Sequence, residues 1–273
     1  MHIRIYSISS IILVLLGIWA GYYFFTAWIE GENLSVWVIV PVILLSAAFL
    51  FKAHMDHWWL SRHTPELDER IKKWLDKYHA FYKALSAEEK IIFENRLYLY
   101  LEGRAFTAVG REEREVPYDI QAAIASQGIQ VGFYQEDYLL GDFDRIFVYK
   151  HPFPTPLHPY LHTVEVEEED GVLIFSLDHA IHGITNPTQY FNIVLYAYLQ
   201  VWKILNRTQW PIPTPEDWEI LKANWDWDLT QVKTVTGLQD LNEDVIFALV
   251  SLQEKEKFDQ YFPQYAHAYD LKN

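Results

Sequence analysis

Two long uncharged runs near the amino terminus constrain the fold of this chain more than any other feature. Residues 5–29 carry no charged side chain, and residues 34–51 form a second uncharged run. A helix rises about 1.5 Å per residue, so each run can cross a hydrocarbon core of about 30 Å. The first run is longer than the apolar region of a signal peptide, and no small-x-small cleavage site precedes Glu30. The sequence therefore predicts a transmembrane hairpin over residues 1–53, with a kink at Pro41.

The charges beside the two runs predict which side of the membrane the termini occupy. Arg4 precedes the first run, Lys52 and Arg62 follow the second, and the link between the runs contains only acidic charges. Lys and Arg are enriched on the cytoplasmic side of membrane proteins. We therefore expect a protein of the cytoplasmic (inner) membrane with both termini and the soluble domain in the cytoplasm. Residues 54–63, rich in His and Trp, are predicted to form an interfacial linker that contacts membrane lipid.

The composition of the remaining chain excludes several classes of function. The protein has 37 acidic and 22 basic residues, a net charge of −15, and no cysteine. Disulfide frameworks, thiolate metal sites and cysteine nucleophiles are therefore excluded. An acidic domain without a Lys/Arg cluster is repelled by phosphate backbones, so nucleic acid is not an expected partner.

The pattern of apolar residues after the hairpin is helical at both ends and strand-like in the middle. Capping signals and apolar stripes predict helices, including a capping box that begins at Ser86 and a first helix whose N-cap is Thr64. Short β-favouring runs predict a small sheet with one hairpin. The predicted helices cover residues 64–85, 86–101, 119–127, 188–205, 215–225 and 242–261, and the predicted strands lie within 145–150, 162–169 and 171–177. We expect one α+β domain over residues 64–273.

Three stretches carry a resemblance to a known family. They are RIFVYKHPF at 145–153, GVLIFSLDHAIHG at 171–183 and NPTQYFNIVLYAYLQVW at 186–202. Their order along the chain and their pattern of apolar and polar residues resemble the Mlc titration factor A family of zinc-dependent peptidases. The likeness extends over roughly residues 58–270. The resemblance implies a zincin-like fold, helix-rich with one small sheet.

The same resemblance implies that the catalytic chemistry has been lost. A zincin helix needs two histidines at i and i+4 to bind Zn²⁺, and a glutamate between them to take a proton from the bound water. The corresponding positions hold other residue types, as do the positions of the acids in the family's last helix: Tyr196, Ala197 and Gln200, then Val245 and Leu252. The resemblance therefore implies a non-catalytic protein without metal or other cofactor, whose former cleft binds a protein or peptide or has become structural. In the simplest interpretation, the degenerate positions only line a half-buried helix.

Two other functions are compatible with the sequence. An active membrane metallopeptidase would need rearranged ligands, and the available histidines are His179, His182 and His158, with Asp178 to orient one ring. Alternatively, the protein is a structural subunit of a membrane complex, in which the hairpin makes the contacts. The zinc content of the purified protein distinguishes the active metallopeptidase from the non-catalytic protein and from the structural subunit.

Two further surface features are expected in the soluble domain. The acidic run 165–170 is predicted to be the solvated end of the hairpin. Most tryptophans of the second half should be buried, because Trp is largely buried on average. Two or three exposed together among Trp202, Trp210, Trp218, Trp225 and Trp227 would mark a protein-contact patch.

Overall fold

The computed structural model describes residues 7–31, 35–110 and 115–271. By the contacts within the chain it divides into two compact units, Met1–Pro65 and Glu66–Asn273. The described residues are rich in helix and contain one small mixed sheet, which confirms the α+β class. The acidic link at 32–34 and the flanking Arg4 lie outside the described residues.

The first predicted span forms a single apolar helix, α1 (Ile8–Glu30). The side chain of Ser7 caps its amino end by accepting a hydrogen bond from the N–H of Ser10. Gly31 ends the helix in the left-handed conformation (φ 65°), which glycine adopts without a steric cost. By length and composition α1 suits a membrane anchor or a signal sequence.

The second apolar run forms a helix that bends sharply where the run ends. A 3₁₀ turn at Val36–Val38 leads into α2 (Ile39–Leu50), and α3 (Lys52–Arg62) follows at an angle of 67°. The bend therefore lies at Phe51 and not at the expected position, Pro41. Proline lies here in the first turn of α2, where its missing N–H interrupts no helical hydrogen bond. Within the described residues, neither α2 nor α3 alone is long and apolar enough to cross a membrane, although the two bent helices together are.

Within the first unit, the carboxylate of Asp56 on α3 accepts hydrogen bonds at the amino end of α1. Oδ1 of Asp56 accepts a hydrogen bond from the N–H of Ser9 at 3.0 Å, and Oδ2 accepts one from the Ser9 hydroxyl at 2.7 Å. A negative charge is favourable at this end of a helix dipole. The contact therefore fixes α3, which contains most of the predicted linker, against the start of α1.

The described residues of the second unit form ten helices. They are α4 (Glu69–Tyr78), α5 (Ala80–Ala84), α6 (Ala87–Gly103), α7 (Tyr118–Gly132), α8 (Leu177–Thr185), α9 (Ile193–Asn206), α10 (Pro215–Trp225), α11 (Leu229–Thr236), α12 (Glu243–Gln253) and α13 (Lys255–Tyr261). Of these, α8 and α9 pack against the sheet. Two of the predicted helices, 64–85 and 242–261, are each divided into two, and neither α8 nor α11 was predicted.

Local capping chemistry sets where the first of these helices begin. The capping box predicted at Ser86 is confirmed. The N-cap predicted at Thr64 is wrong, because α4 begins after Asp68, whose side chain accepts a hydrogen bond from the N–H of Arg70 at 2.8 Å. Buried His79 then ends α4 and caps α5.

The sheet has four strands in the order β1-β2-β4-β3. The strands are β1 (Ala105–Val109), β2 (Arg145–Tyr149), β3 (Val164–Glu167) and β4 (Val172–Ser176). The pairs β1–β2 and β2–β4 are parallel, whereas β3 pairs antiparallel with β4 through the predicted hairpin. Strand β1 was not predicted. Edge strand β3 packs against α9, which places the hairpin beside that helix.

Helix α9 lies at the centre of the core. Residues 193–199 are all at most 1% exposed, and the helix contacts α7, α8 and α12 as well as β3. Asn192 caps it, accepting a hydrogen bond from the N–H of Leu195 at 3.0 Å and donating one to Gln127 at 2.9 Å. Gly183 on α8 permits this packing, because a Cβ there would lie 2.6 Å from the carbonyl oxygen of Phe191.

Candidate functional site

A small polar cavity borders the helix that the resemblance assigns to catalysis. Tyr196 and Gln200 are four residues apart on α9 and both line this cavity of about 110 Å³. The opposite walls come from the loop before β3, from β3 itself and from the loop before α12: His158, Tyr160, Val164, Glu165, Val166, Leu238, Asp240 and Asn242. A cavity of this size holds a few water molecules and is smaller than typical ligand sites of about 300–1,000 Å³.

The tyrosine at the first degenerate position is a structural group. Tyr196 is completely buried, and its hydroxyl oxygen accepts a hydrogen bond from the backbone N–H of Asn242 at 3.1 Å. Burial raises the pKa of Tyr196 to about 12, although hydrogen bonds from Asn242 and with Gln200 oppose that rise. The phenol is therefore neutral at physiological pH. A neutral phenol is a poor ligand for Zn²⁺, which binds imidazole, thiolate and carboxylate.

Ala197, Val245 and Leu252 offer no metal ligand or base, and Gln200 offers this cavity only a neutral amide. Ala197 is completely buried and has no group that accepts a proton. Val245 is also fully buried, and Leu252 lies roughly 10 Å farther along α12 at 1.5 Å per residue. The acid beside these positions, Asp244, forms an ion pair with Lys203 of α9. Its carboxylate is therefore already neutralised by a cation.

One wall of the cavity contains Glu165, whose buried carboxyl group contacts the imidazole of His162. The hydroxyl of Thr155 donates to Oε2 of Glu165 at 2.6 Å, and Nε2 of His162 lies 2.8 Å from the same oxygen. Nδ1 of His162 lies 2.9 Å from the carbonyl oxygen of Tyr160. Because a carbonyl oxygen only accepts, Nδ1 carries a proton, and Nε2 shares a buried hydrogen bond with the carboxyl group of Glu165. The prediction that the acidic run is solvated is therefore wrong for Glu165.

The histidines considered as replacement ligands lie in different parts of the domain. His158 lines the α9 cavity, where its Nδ1 is 3.1 Å from the hydroxyl of Tyr160. His179 and His182 line a separate cleft, and Asp178 pairs with His151 at 2.9 Å. Among the residues that the structure describes, no group of three or more His, Cys, Asp or Glu could hold a metal ion. The convergence that a rearranged zinc site requires is not present in this part of the chain.

A second opening of the domain lies beside α8. It is a cleft of about 600 Å³ formed by α8, by the loop between α8 and α9 and by the turn between α10 and α11. Trp225 and Trp227 both line it and are partly exposed, together with Tyr190. Trp202 and Trp210, in contrast, are buried and stack with ring centroids 5.4 Å apart. Trp225 and Trp227 therefore lie together in one cleft, but both also pack against the core, so the patch of exposed tryptophans that would mark a contact surface is not found among these five.

Comparisons with protein-family models, with curated proteins and with solved structures find no match for this chain. The family resemblance therefore rests on the sequence stretches quoted above.

Several residues of the two openings carry no signal in the sequence. Asp240 and Asn242 reach the α9 cavity from a loop about forty residues farther along the chain, and nothing in their neighbourhood predicts that position. Lys203 and Asp244 are likewise distant in sequence. In the sequence, Glu165 is only one member of an acidic run. An i,i+3 spacing to His162 on an extended segment does not by itself predict a contact between the two side chains.

Proposed function

We propose that this chain is a membrane-anchored, non-catalytic relative of the zinc peptidases that resemble Mlc titration factor A, and that it binds a protein or peptide. In this proposal the α9 cavity binds no zinc, and the cleft beside α8 receives the partner. The transmembrane hairpin holds the domain at the cytoplasmic face of the inner membrane.

One observation carries the non-catalytic part of the proposal. The position of the first zinc ligand is occupied by a fully buried phenol that accepts a backbone hydrogen bond from Asn242. Tyr196 therefore performs a packing role that a metal-bound imidazole could not share. The neighbouring Ala197 supports the same conclusion, because hydrolysis at a zinc site needs a general base at that position.

The binding part of the proposal is supported by the size of the cleft. Its volume of about 600 Å³ falls within the range of ligand sites, and exposed aromatic side chains are typical of binding surfaces. Neither property requires catalysis.

A peptide-cleavage assay tests the proposed lack of activity. The full-length protein in detergent should leave a mixture of fluorogenic peptides intact over a day in the presence of added Zn²⁺, because Ala197 stands where the resemblance places the general base. A known zinc peptidase serves as the positive control. Cleavage that a chelator abolishes would overturn the proposal and favour the active-enzyme alternative.

The proposed topology can be tested by thiol labelling, since the chain contains no cysteine. In intact cells a membrane-impermeant maleimide should label Asn33→Cys, in the acidic link, but should label Asn273→Cys only after the membrane is opened. The physical reason is the positive charge that precedes the first run and follows the second. The reverse labelling pattern would show that the domain faces the other side, and equal labelling of both positions in intact cells would contradict a hairpin.

A further inference from the structure

The cleft beside α8 has a chemistry that selects among possible partners. Its walls combine aromatic rings with polar side chains: His179, His182, Gln189, Tyr190, Trp227 and Gln231 are among them, and Asp226 stands at the turn between α10 and α11. The described lining residues include no Lys and no Arg. The one formally charged group of the lining is therefore a carboxylate.

The aromatic rings of the cleft are held in place by neighbouring rings. Tyr190 is 47% exposed and stacks on His182, with centroids 5.1 Å apart and planes 27° apart. Trp227 packs edge to face against buried Phe191, with centroids 5.8 Å apart. These rings are thus oriented before a ligand arrives, so little conformational entropy is lost when one stacks on them.

The carboxylate of Asp226 is accessible to a ligand. Asp226 is exposed and ends α10 in the left-handed conformation, with φ 57°. Its side chain forms no hydrogen bond or ion pair with any residue in the described ranges, and the nearby base Lys222 pairs instead with Asp228 at 3.1 Å. Burial lowers the pKa of His179, so this ring adds no positive charge at neutral pH.

We infer that this cleft binds an arginine side chain of a partner peptide or protein, with Asp226 accepting hydrogen bonds from the guanidinium and the rings of Tyr190 and Trp227 stacking on it. The inference rests on the proposed peptide-binding function and specifies what the cleft recognises. A cation is attracted both by an aromatic face and by a carboxylate. Arginine fits better than lysine, because its planar guanidinium stacks on rings and presents a fork of donors to a carboxylate. The net charge of −15 attracts the same kind of partner at longer range.

Paired peptides test this inference on the full-length protein in detergent. Fluorescence anisotropy would be measured with a labelled five-residue alanine peptide that contains one central arginine, and with the same peptide containing citrulline, which has nearly the same shape and no charge. We expect the arginine peptide to bind at least about tenfold more tightly at low salt, and the difference to shrink as salt screens the carboxylate.

Two charge-matched variants locate the effect. Asp226→Asn should weaken binding of the arginine peptide about tenfold, and asparagine tolerates the left-handed conformation at this position. Glu216→Gln removes the same charge from the exposed opposite end of α10 and should leave the affinity within about twofold, because a charge roughly 15 Å away acts only weakly through water. Trp227→Leu should weaken binding about fivefold through loss of the ring face.

The possible outcomes separate the inference from the proposed function. Equal binding of both peptides, with loss of both in Trp227→Leu, would overturn the arginine assignment and leave peptide binding in place. Equal weakening by Asp226→Asn and Glu216→Gln would show a general charge effect and would also overturn it. No binding of either peptide would reject this cleft as an arginine site, whereas the cleavage assay would still decide whether the protein is an enzyme.

Discussion

Replacing Tyr196 by alanine should lower the free energy of unfolding by about 4 kcal/mol, the range measured when large side chains are removed from cores. Its ring is fully buried and packs against Phe191 with centroids 5.5 Å apart. Tyr196→Phe should cost only about 1 kcal/mol, because it removes the acceptor of the Asn242 N–H and keeps the packing. Chemical denaturation of the full-length protein in detergent measures both values.

Tyr190→Ala is the matched control for this experiment. Tyr190 is a tyrosine only six residues away, but it is 47% exposed, so its removal should cost less than about 1 kcal/mol. If Tyr196→Ala were as mild as Tyr190→Ala, the first degenerate position would not be a packing position, and the explanation for the lost zinc site would be wrong.

Glu165→Leu should lower the free energy of unfolding by about 3 kcal/mol, because it leaves the buried imidazole of His162 without its hydrogen-bond partner. The imidazole of His162 is fully buried and the side chain of Glu165 is 5% exposed. The hydroxyl of Thr155 would lose its acceptor as well. The same denaturation measurement applies.

Two substitutions control for the change of residue type at this site. Glu168→Leu alters the exposed turn of the same hairpin and should change stability by less than about 0.5 kcal/mol. Glu165→Gln keeps an acceptor oxygen and should fall between the two leucine variants. A Glu165→Leu protein as stable as Glu168→Leu would show that the interaction with His162 contributes nothing.

Elements with a strong local signal were predicted well. The capping box of α6, the hairpin at Gly171 and helix α10, which starts with Pro215, all follow from residues within a few positions of one another. Local hydrogen bonds and backbone preferences act over that distance, and they can be read from one sequence. Boundaries set by tertiary packing were predicted less well: α9 begins at Ile193 and not near 188, because Asn192, which a hydrogen bond to Gln127 of α7 holds in place, caps the helix there.

In the candidate site, too, features set by neighbouring residues were predicted and features set by the fold were not. That Tyr196 and Gln200 share a helix face follows from their spacing, and both do line one cavity. The partners that complete the cavity come from other segments and are joined to α9 only by the fold. The burial of Glu165 could not be predicted for the same reason, since an acidic run is ordinarily solvated and only the loop before β3 supplies the partners that bury it.

Elemental analysis of the wild-type protein tests the central claim most directly. The measurement is zinc per chain in the full-length protein, purified in detergent, supplied with Zn²⁺ and then dialysed without a chelator. Because Tyr196 is a buried neutral phenol, Ala197 supplies no base and Asp244 is paired with Lys203, we expect far less than one zinc per chain. About one zinc per chain, lost when His179 or His182 is changed to alanine, would contradict the account and assign the metal to rearranged ligands.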